Sequence, residues 1–99
     1  MTVPGFNLSV VTPEGAVYRG HAESLVAPGL QGSFGVLAHH APLIAALRRG
    51  ILRTMTAAGT LYFVIGEGLL ETHGNEVTVL ADSAIQVADR REAQSHLIA

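Results

Sequence analysis

Cysteine and lysine are absent from this chain and aromatic residues make up only 5% of it, and each shortage removes a class of function. Without cysteine there is no disulfide framework, no thiolate nucleophile and no Cys-ligated zinc. Without lysine there is no phosphate-loop cation, because that motif needs the ammonium group. Charge is sparse too, at 14% of residues, with eight carboxylates against six arginines and a formal net charge of −2. Such a balance gives no general attraction to nucleic acid and no basic tract to hold anionic lipid. The longest unbroken apolar run is "APLIAAL" at 41–47, far short of the roughly 20 residues that span a bilayer. The opening "MTVPGFNLSVV" has no basic lead and no cleavage pattern, so no export signal is expected.

What the chain does have is aliphatic bulk. Apolar residues, mainly Ala, Val, Leu and Ile, make 48% of its 99 positions, enough for one core and one domain. Turn signals recur every several residues, at "PEG" (13–15), "PGLQGSFG" (28–35), "RRG" (48–50), "AAGT" (57–60), "GEG" (66–68) and "HGN" (73–75). Between them lie strand-length segments: Leu8–Val11, Ala16–Arg19, Ser24–Ala27, Gly35–Leu37, Leu43–Leu47, Ile51–Met55, Leu61–Ile65, Leu69–Thr72, Val77–Leu80 and Ala84–Val87. Short strands at this spacing predict an all-β fold, an antiparallel β-sandwich or flattened barrel. Val77 and Val79 alternate with Thr78, the period of a half-buried strand. "APLIAAL" suits either periodicity, but Pro42 and the "RRG" turn leave only about one and a half helical turns, so it is read as strand. From residue 88 the chain changes character. "ADRREAQSHLIA" is rich in helix formers, and Asp89 precedes Glu92 by three as in a capping box. It reads either as a terminal turn packed on the sandwich or as the first turn of a larger helical element. The expected organisation is a β domain over 1–87 and a helical stub over 88–99.

The candidate chemistries are thin. His39 and His40 are adjacent, and in extended chain neighbouring side chains diverge; metal-binding histidines on a helix stand at i, i+4. Pro42 biases Ala41 toward extended geometry, so "AHHAP" reads as a stiffened loop offering a histidine outward. "GEGLLE" has the first two glycines of a dinucleotide fingerprint, but Glu71 occupies the third place and no helix follows, so a tight hairpin or bulge explains it better. Ser33 in "GSFG" is not flanked by glycines at the spacing of a nucleophile elbow. Arg48, Arg49 and Arg53 gather around Gly50, either as solvated turn residues or as forks for an acidic partner.

Taken together, "GSFGVLAHHAPLIAALRRGILR", the "GEGLLE" turn and "NEVTVLADSAI" resemble the N-terminal domain of the ε subunit of bacterial F-type ATP synthases. The resemblance runs from about Phe6 to Ile85, and the order G-x-x-G-[VI]-x-x-x-H-A-P-L, G-[IM]-[LI]-R, V-T-V-L-A-D-x-A-I is its specific part. It implies a two-sheet antiparallel β-sandwich that catalyses nothing, binds no cofactor and takes no small-molecule substrate. It implies partners too: the γ subunit and the c-ring, with the protein peripheral to the cytoplasmic face of the bacterial inner membrane and turning with the rotor to couple proton flow to ATP synthesis. Carried over by position, the ring-facing loop falls on Gln31, Gly32 and Ser33, the family histidine on His40, and the γ-facing surface on Thr12 and Ala45. The chain departs from the pattern at an uncharged "QGS" where acid is common, at His39 where glycine is common, and at Gln94 where arginine is common. "DRREAQSH" matches only the start of the family's C-terminal helical hairpin, so neither nucleotide binding nor self-inhibition is expected of this chain. Two rival classes compete with this one. A stand-alone sandwich binding sugars would want more exposed aromatics, and a small His-dependent metalloenzyme would want histidines at ligand spacing.

Overall fold

The computed structural model describes residues 4–98, so the first three residues of the expected β domain and residue 99 lie outside the described residues. Ten strands run from Phe6 to Val87, and one helix follows. They are β1 Phe6–Thr12, β2 Gly15–Ala22, β3 Ser24–Gly29, β4 Gly32–Leu37, β5 Leu43–Leu47, β6 Gly50–Thr56, β7 Gly59–Ile65, β8 Gly68–His73, β9 Glu76–Ala81 and β10 Ala84–Val87, then α1 Arg90–Ile98. "APLIAAL" does form a strand.

Hydrogen bonding links the strands in the order β10-β7-β6-β3-β5-β8-β9-β1-β2, with β4 paired to β3. The sheet folds over on itself into a flattened, nearly closed barrel. One half holds β10, β7, β6, β3 and β4; the other holds β5, β8, β9, β1 and β2. Strand β3 joins them, since Ser24–Val26 pair with β6 while Gly29 faces Leu47 of β5. The antiparallel expectation holds for every pair but one: β1 and β9 run parallel, from Asn7↔Glu76 to Val11↔Leu80. A parallel pair needs a long connection, and here the intervening strands of the barrel supply it.

Alternation fixes which side chains go inside. In β1, Phe6, Leu8 and Val10 are buried while Asn7 is exposed; in β9, Val77 and Val79 are buried. Leu25, Val36, Leu52, Phe63, Ile65 and Leu70 complete the interior. Each large apolar side chain removed from water contributes about 1.5–3 kcal/mol. Tyr18 of β2 meets Phe63 of β7 edge-on, with ring centroids 5.7 Å apart, tying the two halves together on the side away from β3. Three threonines are buried, Thr12, Thr54 and Thr72; the Thr54 hydroxyl donates to the Ser24 carbonyl and the Thr72 hydroxyl to the Ala41 carbonyl, each at 2.7 Å.

Strand β4 begins three residues earlier than its expected start at Gly35. Gly29 and Gly32 pair across a two-residue turn, Leu30–Gln31, and Gly32 has φ 129°. A Cβ at Gly29 would press on the Phe34 ring. The glycines that look like a loop break are what allows the hairpin to turn tightly. The same holds for "GEG". A Cβ at Gly68 would strike the Leu80 carbonyl oxygen, so that glycine permits β8 to pack closely on β9.

Candidate functional site

The structure regroups the residues singled out in the sequence. Gln31 is in the turn of the β3–β4 hairpin, and Gly32 and Ser33 open β4; all three are exposed. His40 follows the far end of β4. About six strand residues at 3.3 Å each separate the two places, so His40 and the hairpin tip sit at opposite ends of one strand and cannot meet the same small surface. Ala45 lies beside the tip instead, lining a cleft of about 270 Å³ with Gln31, Gly32, Leu30 and Phe34. Thr12 is only 9% exposed. Its hydroxyl is held within its own turn, accepting from the Glu14 N–H at 3.2 Å and donating to the Gly15 carbonyl at 3.4 Å. Thr12 and Ala45 share the inward parity of their strands, with Val10 and Leu47 respectively.

The "AHHAP" segment is tied down by polar contacts. His39 has φ 60°, a left-handed conformation in which a side chain is strained. Its N–H donates to the Asn75 side-chain oxygen at 2.7 Å. Asn75, itself at φ 61°, donates from its amide nitrogen to the Gly5 carbonyl at 2.8 Å, and its own carbonyl accepts the Asn7 N–H at 3.2 Å. One asparagine therefore fastens the chain start, the β8–β9 turn and the histidine loop to one another. His40 Nδ1 is 2.7 Å from the Ala41 carbonyl oxygen. A carbonyl only accepts, so Nδ1 carries the proton and, in the neutral ring, Nε2 is the free acceptor. Both histidines are exposed. Among the described residues, no group of three or more His, Cys, Asp or Glu is arranged to hold a metal ion.

The outward-facing side of the β5-β8-β9-β1 half carries what the sequence reading missed. Register aligns Ala46, Leu69, Leu80 and Val11 in one row across four strands. Leu69 and Leu80 are 46% and 47% exposed, and Ile44, beside Ala46 on β5, is 68% exposed. Leu30 adjoins the end of the row, its N–H donating to the Ala46 carbonyl at 2.9 Å. The next row is Ile44, Glu71, Thr78, Ser9 and Arg19, and the one after is His73, Glu76, Asn7 and His21. The face thus grades from apolar near the β3–β4 tip to charged near the histidine loop. A signal existed in the sequence: Leu80 is out of phase with Val77 and Val79, an apolar side chain where alternation asks for a polar one.

The opposite outward face, on the β10-β7-β6 half, is covered by the chain's own helix. Ala93 is fully buried, and Leu97 packs with it over Ile51, Tyr62, Val64 and Val87. Asp89 caps the helix by accepting the Glu92 N–H at 2.9 Å, and Glu92 reaches back to the Ala88 N–H at 3.0 Å. At the other end the Arg49 guanidinium donates to the carbonyls of His96 at 2.9 Å and Leu97 at 3.2 Å. A cation there also suits the helix dipole. Arg49, which the sequence left between solvent and a partner, is spent on the chain itself.

Residues 5–87 match the model of the ATP synthase, Delta/Epsilon chain, beta-sandwich domain family. The chain is 45% identical over 89 residues to an ATP synthase epsilon chain of Acidithiobacillus ferridurans, covering 90% of this chain and 63% of that one. It is 47% identical over 77 residues to that of Carboxydothermus hydrogenoformans, covering 78% and 58%. It therefore spans about 60% of the length of these curated relatives. In solved structures, the fold matches a chain of the Euglena gracilis mitochondrial ATP synthase, OSCP/F1/c-ring, with a TM-score of 0.78 at 19% identity, over 99% of this chain and 65% of that one. It also matches a chain of the Tetrahymena thermophila mitochondrial ATP synthase central stalk and c-ring, at TM-score 0.66 and 13% identity, over 93% and 85%. With its strand order, its tight β3–β4 hairpin and its "HAPL" loop accounted for residue by residue, the chain belongs to the ATP synthase delta/epsilon chain family, as its β-sandwich domain.

Proposed function

We propose that this chain is the docking body of a non-catalytic ε subunit, a rotor component of the central stalk that joins the γ subunit to the c-ring of a proton-translocating ATP synthase. In that role residues 1–87 form the gripping domain and 88–99 begin the helical region. The complex holds it peripherally at the cytoplasmic face of a bacterial inner membrane. The observation that carries this reading is the bare apolar row Ala46–Leu69–Leu80–Val11, framed by Ile44 and Leu30. An apolar row left uncovered by the chain's own helix is the surface expected of an obligate partner.

The γ-side contact is assigned to that row, with Thr12 and Ala45 at its border. They set the backbone of the same strands, and their neighbours Val11, Ile44 and Ala46 present the side chains. The ring-side contact is assigned to Gln31, Gly32 and Ser33 at the hairpin tip. With no carboxylate there, the contact rests on shape and backbone hydrogen bonding. His40, at the other end of β4, meets a different surface, offering Nε2 as an acceptor. A standard interface takes about 800 Å² from each partner, roughly a seventh of the 5835 Å² this domain exposes, so two such contacts fit side by side. A coupling element must transmit torque without slipping, and a nearly closed barrel with its loops pinned by Asn75 and Thr72 suits that task.

The test is recovery with the purified γ subunit, and reconstitution into the complete source enzyme depleted of this chain, followed by proton pumping driven by ATP. Stable recovery of this chain with γ, and loss of both recovery and coupling on Leu80→Asp, is the expected result. A chain that fails to bind γ, or turns over a substrate alone, ends the proposal.

A further inference from the structure

A groove of about 250 Å³ runs beside α1 on the helix-covered face, with Arg48, Arg53 and Arg90 at its sides. Pro28, Ile51 and Leu97 supply its apolar lining, and Ser33 also borders it. Arg90 lies in the first turn of α1 and Leu97 in its last, so the groove follows the helix for roughly 10 Å. Among the described residues, no carboxylate lines it. Arg53 is half-buried, and its cross-strand neighbours are Val26 and Tyr62, neither of them charged. Arg48 makes a single long bond, 3.4 Å, to the Arg49 carbonyl. The contrast with Arg49 is instructive, because that neighbour is fully engaged in capping α1.

Three guanidinium groups around one groove, in a chain of net charge −2, repel one another, and among the described residues no carboxylate lines the groove to offset them. We infer that this groove docks an acidic segment of a partner protein, with two carboxylates flanking an apolar side chain. The spacing supports a peptide over a compact anion. A Cβ built at Gly50 would stand 3.5 Å from Arg48 Nη1, so that guanidinium hangs over Gly50. Arg53 lies three residues further along β6, its backbone roughly 10 Å from that of Gly50, and both side chains line the groove. A single phosphate would leave Ile51 and Leu97 wet, whereas a segment with an apolar side chain between its acids covers them while pairing with the arginines. Bidentate Arg–carboxylate pairing is directional as well as charge-assisted, so the groove would also fix the segment's register. It lies on the face opposite the apolar row, and its occupancy stands or falls independently of the γ contact.

The test uses the 99-residue chain and a fluorescein-labelled peptide, Gly-Glu-Glu-Leu-Leu-Glu-Glu-Gly, read by anisotropy at low salt. The expected result is saturable binding that weakens about tenfold in Arg53→Gln and again in Arg48→Gln. Arg19→Gln, on β2 of the other half, should leave it unchanged, and so should the melting temperature of every variant. A Gln-for-Glu peptide should not bind. Equal weakening by Arg19→Gln would reduce the effect to general attraction and overturn the inference. Tripolyphosphate binding more tightly than the peptide would reassign the groove to a phosphate ligand, and no binding at all would remove it. If Arg53→Gln unfolds the chain, the exposed Arg48→Gln and Arg90→Gln variants decide the question.

Discussion

The two outward faces of the barrel are built alike and finished differently. On the β10-β7-β6 side, Ile51, Tyr62, Val64 and Val87 are roofed by Ala93 and Leu97 of α1, and the helix is held at both ends by side chains made for it, Asp89 and Arg49. On the β5-β8-β9-β1 side, Leu69, Leu80 and Ile44 are exposed, and nothing in the chain covers them among the described residues. A helix of about nine residues is too short to persist alone, so it stays where it is only because the sheet beneath it is apolar and its ends are capped. The other face lacks such a roof, and a packed barrel that tolerates exposed leucines in register is best understood as one whose cover comes from another chain.

The sharpest way to break this comparison is to charge the bare face. Leu69→Asp with Leu80→Asp should weaken γ association by about 1000-fold or more, two central contacts at roughly 2 kcal/mol each, while circular dichroism and melting temperature stay nearly unchanged. A large loss of stability would mean the leucines serve the fold itself. The mirror experiment charges the roof. Ala93→Asp puts an unpaired carboxylate at a fully buried position, costing about 3 kcal/mol if it stays there. The helix should therefore lift off, losing its signal at 222 nm while the barrel still melts cooperatively and still binds γ.

Without a roof, the bare half needs another source of rigidity, and Asn75 is the candidate. Asn75→Ala removes the bonds to His39 and Gly5 and places a Cβ-bearing residue with no local polar partner at φ 61°; about 2 kcal/mol of destabilisation by urea unfolding is expected. Asn75→Gly should cost less, and the difference isolates the backbone strain. On the roofed half, Asp89→Ala should cost about 1 kcal/mol at most, by loss of the cap, and fray α1 without touching γ binding. The smallest effect has the opposite sign. His39→Gly relieves a strained left-handed residue and should stabilise the protein by up to about 1 kcal/mol, the gain partly offset by the extra freedom of glycine when unfolded. A loss instead would show that the His39 side chain contributes packing to the loop.

Much of this was readable in the chain, and the misses have a common cause. The strand at 43–47 could be assigned because Pro42 and the Arg-Arg-Gly turn left no length for a helix, and the Asp89–Glu92 cap could be read from spacing alone. Those features depend on residues a few positions apart. The distance between Gln31 and His40 could not be read from the sequence, because the stretch from Gly32 to Leu37 is one straight strand and not a loop that brings its ends together. Thr12 and Ala45 follow the inward parity of strands whose outward residues carry the exposed surface. The role of Arg49 could not be read at all, since its partners are 47 and 48 positions away.

By itself, the sequence determined the all-β class, the number and approximate placement of the strands, the hairpin turns at glycine pairs and the capped helix. All of these follow from local conformational preference and from alternation along one strand. Tertiary structure alone decided that β1 pairs with β9 in parallel, that Leu80 stands beside Leu69 and Val11, and that one face is roofed while its counterpart is bare. Pairing register between distant strands is set by which packing buries the most apolar surface at once. That is a property of the whole barrel, and no window of residues contains it.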